Sequence, residues 1–147
     1  MGSGSGRKCI YNNIRVLAMF PALSVIADYT LTFVFAHGLD EILRYEFSPI
    51  VQVAAVSGHA TLLMMSIAVS YFILSYLALW TLGDTCIYPF IVTILVVVSI
   101  THVMGGFSWL VRVPLYSHMV LGLSVMAFVL AVVGIIWGVC RCPQHFI

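Results

Sequence analysis

The stretch from Ile14 to Pro49, IRVLAMFPALSVIADYTLTFVFAHGLDEILRYEFSP, decides how this chain folds. It opens with an apolar run that carries one acid, Asp28, and it continues into an acidic loop that contains Glu46. An ionisable side chain inside a bilayer costs about 2.5 kcal/mol or more, so such a residue indicates a functional site with partners on other spans.

Three further apolar runs follow, and each is long enough to cross a bilayer core of about 30 Å as a helix. Because the connections are short, consecutive spans are expected to be antiparallel neighbours. The predicted fold is all-α, an integral membrane four-helix bundle with up-down-up-down topology. The predicted parts are a flexible tail (1–13), spans over 14–36, 50–79, 87–110 and 115–139, and a C-terminal tail (140–147).

The second run exceeds the length that a bilayer requires, which predicts a tilted or projecting helix. Tyr71, Tyr76 and Trp80 in its last third are typical of an interfacial aromatic belt.

The composition excludes a soluble domain and a nucleic-acid partner. Hydrophobic residues make up 63% of the 147 residues and charged residues 7%, whereas soluble domains carry roughly 25% charged residues. The net charge is +1, and no basic cluster offers the patch that nucleic-acid binding needs. The lipid bilayer is therefore the expected surrounding of most of the chain.

The basic residues predict the orientation, because Lys and Arg concentrate on the cytoplasmic side of membrane proteins. The two termini share one side in a four-span protein. That side holds Arg7, Lys8, Arg15 and Arg141, and the loops of the other side hold Arg44 and Arg112. The N and C termini are therefore predicted to be cytoplasmic, in a cell membrane.

The cysteines fall near the predicted cytoplasmic border, namely Cys9, Cys86, Cys140 and Cys142. Disulfides persist in oxidising compartments, so this placement favours free thiols. Cys140 and Cys142 with His145 provide too few thiolates for a typical zinc knuckle.

Five ionisable residues are predicted to lie at a similar depth in the membrane. At about 1.5 Å of rise per residue, the outer half of the predicted bundle contains Asp28, Glu46, His59, His102 and His118. A lone intramembrane histidine often only hydrogen-bonds a neighbouring helix, and this structural role is favoured for His118. For Asp28, His59 and His102 together, a site and a packing role are equally open.

The first chemistry that suits this set is metal-assisted hydrolysis of a membrane-embedded substrate. Asp28, His59, His102 and His118 would hold zinc, and Glu46 would act as the base, with Asp28 also counted among the catalytic residues. The residue types resemble those of membrane hydrolases that build a zinc site from several helices, although no HExxH motif is present.

Two other chemistries stay open. A proton or ion relay through Asp28 and the histidines fits a non-catalytic membrane subunit or a proton-coupled carrier. A b-type haem held by His59 and His102 is the third, with Gly58, Gly105 and Gly106 leaving room for the macrocycle. Copper bound by methionines ranks last, because Met is a common packing residue in apolar cores.

Small residues at helical spacing predict close helix contacts. Gly134 and Gly138 form such a pair in the last span, and Ala54 and Gly58 form one in the second. Packing within the chain is favoured over a homodimer or a larger membrane complex, and both alternatives stay open.

Residues 25–52 resemble a prokaryotic family of small four-span integral membrane proteins of unknown function. The similar pattern is Asp-x-x-x-Thr at Asp28 to Thr32, then Gly38, then Glu-x-Asn/Ser-Pro ending at Pro49. Ser48 stands where that family has Asn. The resemblance implies the four-span architecture and implies no activity. Ser48 and Pro49 are also typical of a helix start.

Overall fold

Six helices make up the described part of the chain. The computed structural model describes residues 13–141, without the side chains of 135 and 137–141. Its helices are α1 (Ile14–Phe35), α2 (Leu39–Tyr45), α3 (Pro49–Val56), α4 (Ala60–Thr81), α5 (Tyr88–Val111) and α6 (Pro114–Arg141). Residues 13–141 contain no strand, and the prediction of an all-α four-helix fold is confirmed.

Four of these helices are long and apolar enough to cross a membrane: α1, α4, α5 and the Pro114–Gly134 part of α6. Many of their large hydrophobic side chains are exposed, for example Leu62, Leu74 and Phe128. Apolar surface on this scale indicates contact with lipid, because monomeric soluble proteins rarely expose large contiguous apolar patches. The prediction of an integral membrane protein is therefore supported, with consecutive spans running in alternate directions.

The predicted second span over 50–79 is interrupted. The chain turns between α3 and α4, where Gly58 has a φ of +74°, a left-handed conformation that glycine adopts without steric cost. The hydroxyl of Ser57 donates to the carbonyl of Val53 at 2.8 Å. Because apolar residues continue on both sides of this turn, the hydropathy pattern did not reveal it. The turn leaves α4 alone as the second span and makes α2 and α3 a separate segment, called the cap below.

The four spans form an open arrangement rather than a closed ring. α1 packs along both α4 and α5, and α4 also contacts α5. Within residues 13–141, α6 packs on α5 alone. A buried apolar cluster stabilises the end opposite the cap, with Leu17 and Ala18 of α1 against Leu79 of α4 and Ile91 of α5. At the other end, a gap between α1 and α6 is left beside the cap.

Two glycines allow α1 and α5 to approach closely. A Cβ atom on Gly106 would lie 3.0 Å from the Cα of Asp28 and 2.9 Å from Cδ1 of Leu31. A Cβ atom on Gly105 would lie 3.2 Å from Oδ1 of Asp28. These glycines therefore set how near the Asp28 carboxylate comes to α5.

We expect Gly106→Ala to lower the free energy of unfolding by about 1–3 kcal/mol, the usual cost of overpacking a tight contact. The backbone of α1 blocks the new methyl group and cannot rotate away. The matched control is Gly122→Ala in α6, where nothing lies within 4 Å of the added Cβ atom, and no loss is expected there. Reversible denaturation in mixed micelles measures both variants, and equal effects would contradict the contact.

The thiol prediction is wrong for Cys86, which is disulfide-bonded. The prediction assumed a reducing compartment at this end of the bundle, and a persistent disulfide conflicts with that assumption. The other predictions about the termini lie outside the described residues or side chains; they concern Arg7, Lys8, Cys9, Cys140, Arg141, Cys142 and His145.

Candidate functional site

Asp28 of α1 and His102 of α5 form an ion-pair contact within the bundle. Nδ1 of His102 lies 2.9 Å from Oδ2 of Asp28, and the two side chains are 24% and 21% exposed. Asp28 thus meets a titratable group from another span, as its cost in lipid requires. The missing side chain of Gly105 gives the carboxylate its room against α5.

Tyr71 of α4 extends this contact to a third helix. Its hydroxyl lies 3.1 Å from Nε2 of His102, and the two rings meet edge to face with centroids 5.2 Å apart. The three side chains, Asp28, His102 and Tyr71, are called the Asp–His–Tyr chain below. The sequence predicted Tyr71 in an interfacial belt, whereas its hydroxyl points into the bundle at His102. Tyr71 lies in the middle of a span only because α4 begins at Ala60, and the predicted span over 50–79 placed it in the last third.

Both ring nitrogens of His102 keep a hydrogen-bond partner in two protonation states of the Asp–His–Tyr chain. In the neutral-imidazole state, Nδ1–H of His102 donates to the Asp28 carboxylate and the Tyr71 hydroxyl donates to Nε2. When His102 takes up a proton, Nε2–H donates to the Tyr71 oxygen, and only the hydroxyl hydrogen has to rotate. The Asp–His–Tyr chain can therefore gain or lose one proton while all of its heavy atoms stay in place.

A cavity of about 670 Å³ opens beside the Asp–His–Tyr chain. Its walls come from α1, α5 and α6, and the cap supplies the rest of the lining. Asp28 and His102 both line it, whereas Tyr71 lies behind His102 on α4. This volume falls within the range of about 300–1,000 Å³ that is usual for small-molecule sites.

Arg112 fastens the cap to the bundle. Its guanidinium contacts the Glu41 carboxylate of α2 through Nη1 at 3.3 Å and through Nη2 at 3.0 Å. Nη2 also donates to the carbonyl of Phe35 at the end of α1 at 2.8 Å, and Nε donates to the carbonyl of Trp109 at 3.1 Å. Arg112 ends α5 in a left-handed conformation with φ of 49°. From the sequence, Arg112 was predicted only to lie in an outer loop, and its contacts with the cap were not predicted.

The attachment of the cap is expected to weaken in acid. The N–H of His37 and the guanidinium of Arg112 hold the pKa of Glu41 below its ordinary value of 4.5. A carboxyl with a lowered pKa in the folded state contributes stability above its ordinary pKa and loses that contribution as the pH falls through the lowered value. The protection of α2 amides against hydrogen exchange, taken relative to the intrinsic exchange rate at each pH, should therefore fall below about pH 4.5 in the native protein.

Glu41→Gln should remove this acid-dependent change, because its side chain carries no titrating group. Asp40→Asn is the matched control, since Asp40 is an exposed acid in the same helix and the variant should keep the native pH profile. An unchanged profile in Glu41→Gln would contradict the assigned role of the ion pair.

Glu46 follows α2 and faces the same cavity. Its Oε1 accepts from the N–H of Ser48 at 2.9 Å. Burial raises the pKa of Glu46, and the negative charge of Asp28 raises it further. Among residues 13–141, the side-chain ion pairs are those of Asp28 with His102 and of Glu41 with Arg112. Glu46 is thus an acid on the cavity wall that has no cationic partner in the described part of the chain.

The remaining predicted ligands lie apart from the Asp28 and His102 contact. His118 lines the cavity, and its Nδ1–H donates to the carbonyl of Pro114 at 2.7 Å. His59 is exposed in the turn before α4 and does not line the cavity. Within residues 13–141, no three His, Cys, Asp or Glu side chains lie close enough together to hold a metal ion. The structure thus joins Asp28 to His102, keeps His118 and Glu46 in the same cavity, and leaves His59 outside it.

Comparisons of this chain with protein-family models, with curated proteins and with solved structures gave no match. The arguments for function therefore rest on the geometry and chemistry of this site.

Proposed function

We propose that this protein is a proton-coupled membrane carrier and that the Asp–His–Tyr chain is its proton-binding group. The observation that carries the proposal is the 2.9 Å contact between Asp28 and His102 beside a cavity of about 670 Å³. Facing Asp and His side chains inside a membrane bundle are the usual components of proton pathways in pumps and transporters. The two hydrogen-bonded states of the chain allow one proton to be held and released.

Coupling follows from the position of the Asp–His–Tyr chain in the cavity wall. Protonation of His102 adds a positive charge beside Asp28, and it changes the charge that any molecule in the cavity meets. A ligand that prefers one of the two states shifts the proton equilibrium, and the proton shifts ligand binding by the same factor.

The proposal is tested by reconstituting the purified protein into liposomes across which a pH gradient is imposed. Protein-containing liposomes should dissipate the gradient faster than protein-free liposomes of the same lipid. A rate equal to that of the protein-free liposomes would contradict proton coupling.

The orientation from the Lys/Arg distribution, with both termini cytoplasmic, stays a prediction. The disulfide at Cys86 counts against it, because disulfides persist mainly in oxidising compartments. Cys86 lies between α4 and α5, at the end of the bundle where α1 begins and α6 ends. After reduction, labelling of Cys86 in intact cells by a membrane-impermeant maleimide would place this end outside, and protection would place it in the cytoplasm. A Cys86→Ser variant identifies the labelled residue.

Metal-assisted hydrolysis and haem binding have less support from this geometry. Both ring nitrogens of His102 have partners, Asp28 and Tyr71, whereas a metal ligand needs one nitrogen lone pair for the metal. His59, which both hypotheses require, lies in the turn before α4.

We therefore expect substoichiometric zinc in protein purified without chelators, and the same content in His59→Ala. One zinc per chain that is lost in both Asp28→Asn and His59→Ala would contradict the carrier proposal and restore the hydrolase hypothesis. Haem is tested by the absorption spectrum of the same preparation, where a Soret band would reveal it.

A further inference from the structure

The charges around the cavity are unbalanced. Three carboxylates line it, those of Asp28, Glu41 and Glu46, and Arg112 supplies one guanidinium. Glu41 and Arg112 neutralise each other. With neutral histidines, the lining therefore keeps an excess of two negative charges, on Asp28 and Glu46. A protonated His102 reduces this excess to one. In both states the cavity repels an anion and attracts a cation.

Arg112 offers no free positive charge that an anionic ligand could use. Its guanidinium already contacts the Glu41 carboxylate and the Phe35 carbonyl, and its Nε donates to the Trp109 carbonyl. Glu46, in contrast, has a negative charge that no cation of the described residues neutralises. Among the described hydrogen bonds, its carboxylate accepts only from a backbone N–H. A positively charged ligand would therefore gain a partner that this part of the protein does not supply.

Four aromatic side chains line the same cavity as the acids: Tyr29, Tyr45, Phe47 and Trp109. Aromatic faces attract cations within about 6 Å of the ring centroid, and this attraction grows when water is excluded. One such contact is already present in the cap, where the guanidinium of Arg44 lies 5.3 Å from the centroid of Tyr45. Acids combined with aromatic rings suit an organic cation better than a hydrated metal ion.

The cap beside the cavity has the surface of a segment that lies at the membrane boundary. α1 and α6 do not pack on each other within residues 13–141, and the cap lines the cavity together with both helices. The cap exposes large apolar side chains, among them Phe47, which is 70% exposed, and Ile50, which is 67% exposed. Such a surface favours the boundary between lipid headgroups and acyl chains, where amphipathic molecules accumulate.

We propose that the cavity binds an amphipathic organic monocation in competition with the proton of the Asp–His–Tyr chain, while the empty site passes protons by itself. This inference rests on the proposed carrier function and names the substrate class of the same site. When the cation binds beside Asp28 and Glu46, the proton on His102 leaves to water in the cavity. One positive charge enters and one leaves, so the total charge of the site is unchanged.

The groups that face Asp28 make this exchange sensitive to pH. His102 faces it from α5, Glu46 from the cap and Tyr29 from α1 itself, while Tyr71 of α4 acts through His102. Binding of a cation should therefore strengthen as the pH rises, because the cation and the proton of the Asp–His–Tyr chain displace each other.

The experiment uses tetraphenylphosphonium as the cation and tetraphenylborate as an anion of nearly the same size and shape. Binding is measured by titration calorimetry on the protein in zwitterionic nanodiscs, with empty nanodiscs as the control for partition into lipid. We expect saturable binding of the phosphonium alone, with release of up to one proton per bound cation in weakly buffered solution. Glu46→Gln should weaken phosphonium binding roughly tenfold or more, and Asp28→Asn should abolish proton release.

Asp40→Asn is the matched control and should bind as the native protein does, because Asp40 is exposed and does not line the cavity. Saturable binding of tetraphenylborate, or equal phosphonium binding by the native protein and Glu46→Gln, would overturn the cation assignment. If protons cross the bilayer but the phosphonium does not bind, the cation assignment fails and the carrier proposal stands. Phosphonium binding without proton release would overturn the exchange.

Discussion

Asp28→Asn is expected to reduce the proton flux of protein-containing liposomes to the level of protein-free liposomes. Asparagine fits the space next to Gly105 and still contacts His102, but its amide cannot hold the negative charge that stabilises a protonated imidazole. The Asp–His–Tyr chain of the variant then lacks the state in which a protonated His102 faces a charged Asp28, and this is the state that carries the proton. The rate at which a pH-sensitive dye inside the liposomes reports equilibration measures this loss.

Two variants control this result. Tyr71→Phe removes the outer hydrogen bond of His102 but keeps the Asp28 carboxylate, so it should lower the flux only in part. Asp40→Asn removes an exposed acid near the same end of the bundle and should leave the flux at the native level. A native flux in Asp28→Asn, measured on protein that elutes as a single species, would contradict a proton pathway through Asp28.

His102→Leu should lower the free energy of unfolding by about 3 kcal/mol, because it leaves the Asp28 carboxylate without its partner in a mostly buried site. Leucine keeps apolar contacts within the bundle, so lost packing contributes little. The hydrogen bond from Tyr71 is lost in the same variant. Reversible denaturation in mixed micelles at neutral pH measures the change.

The double variant Asp28→Leu/His102→Leu separates the unpaired charge from lost packing. It removes both polar groups, and replacement of a buried ion pair by apolar residues is often neutral or stabilising. We therefore expect it to be more stable than His102→Leu alone. A double variant that loses as much stability as the two single variants together would show that Asp28 and His102 do not interact.

Length and hydropathy were sufficient to predict four long apolar helices, because a bilayer imposes a minimum apolar length on each spanning helix. The same information could not locate the end of α3. Gly58 and the residues around it fit an apolar helix as well as they fit a turn, and only the left-handed backbone of Gly58 distinguishes the two. The predicted position of His59 was wrong for this reason, since a continuous helix would have placed His59 at the depth of Asp28.

The contact between Asp28 and His102 could be predicted from the sequence, because both residues are costly in lipid and lie at a similar depth. The contacts that Tyr71 makes with His102 and Arg112 makes with the cap could not be predicted. Tyr71 and Arg112 are residue types that also occur at membrane borders, so their presence near a predicted helix end or in a predicted span carries no information about contacts. The packing of α1 on both α4 and α5 brings Tyr71 to His102. Hydropathy does not predict which helices pack against each other.

The prediction of free thiols failed for a different reason. It combined the position of Cys86 near a predicted membrane border with an orientation taken from a few Lys and Arg residues. Neither signal reports whether a second cysteine lies close enough to bond, and the disulfide at Cys86 depends on that distance.

The protonation of His102 in a bilayer can be measured by ¹⁵N solid-state NMR of the histidine-labelled protein, with a His102→Gln sample to assign its signals. At high pH we predict a neutral ring with the proton on Nδ1, and on acidification a ring with both nitrogens protonated. A ring that carries its proton on Nε2 at high pH, or a ring that keeps a single proton on acidification, would contradict a proton-binding pair of Asp28 and His102.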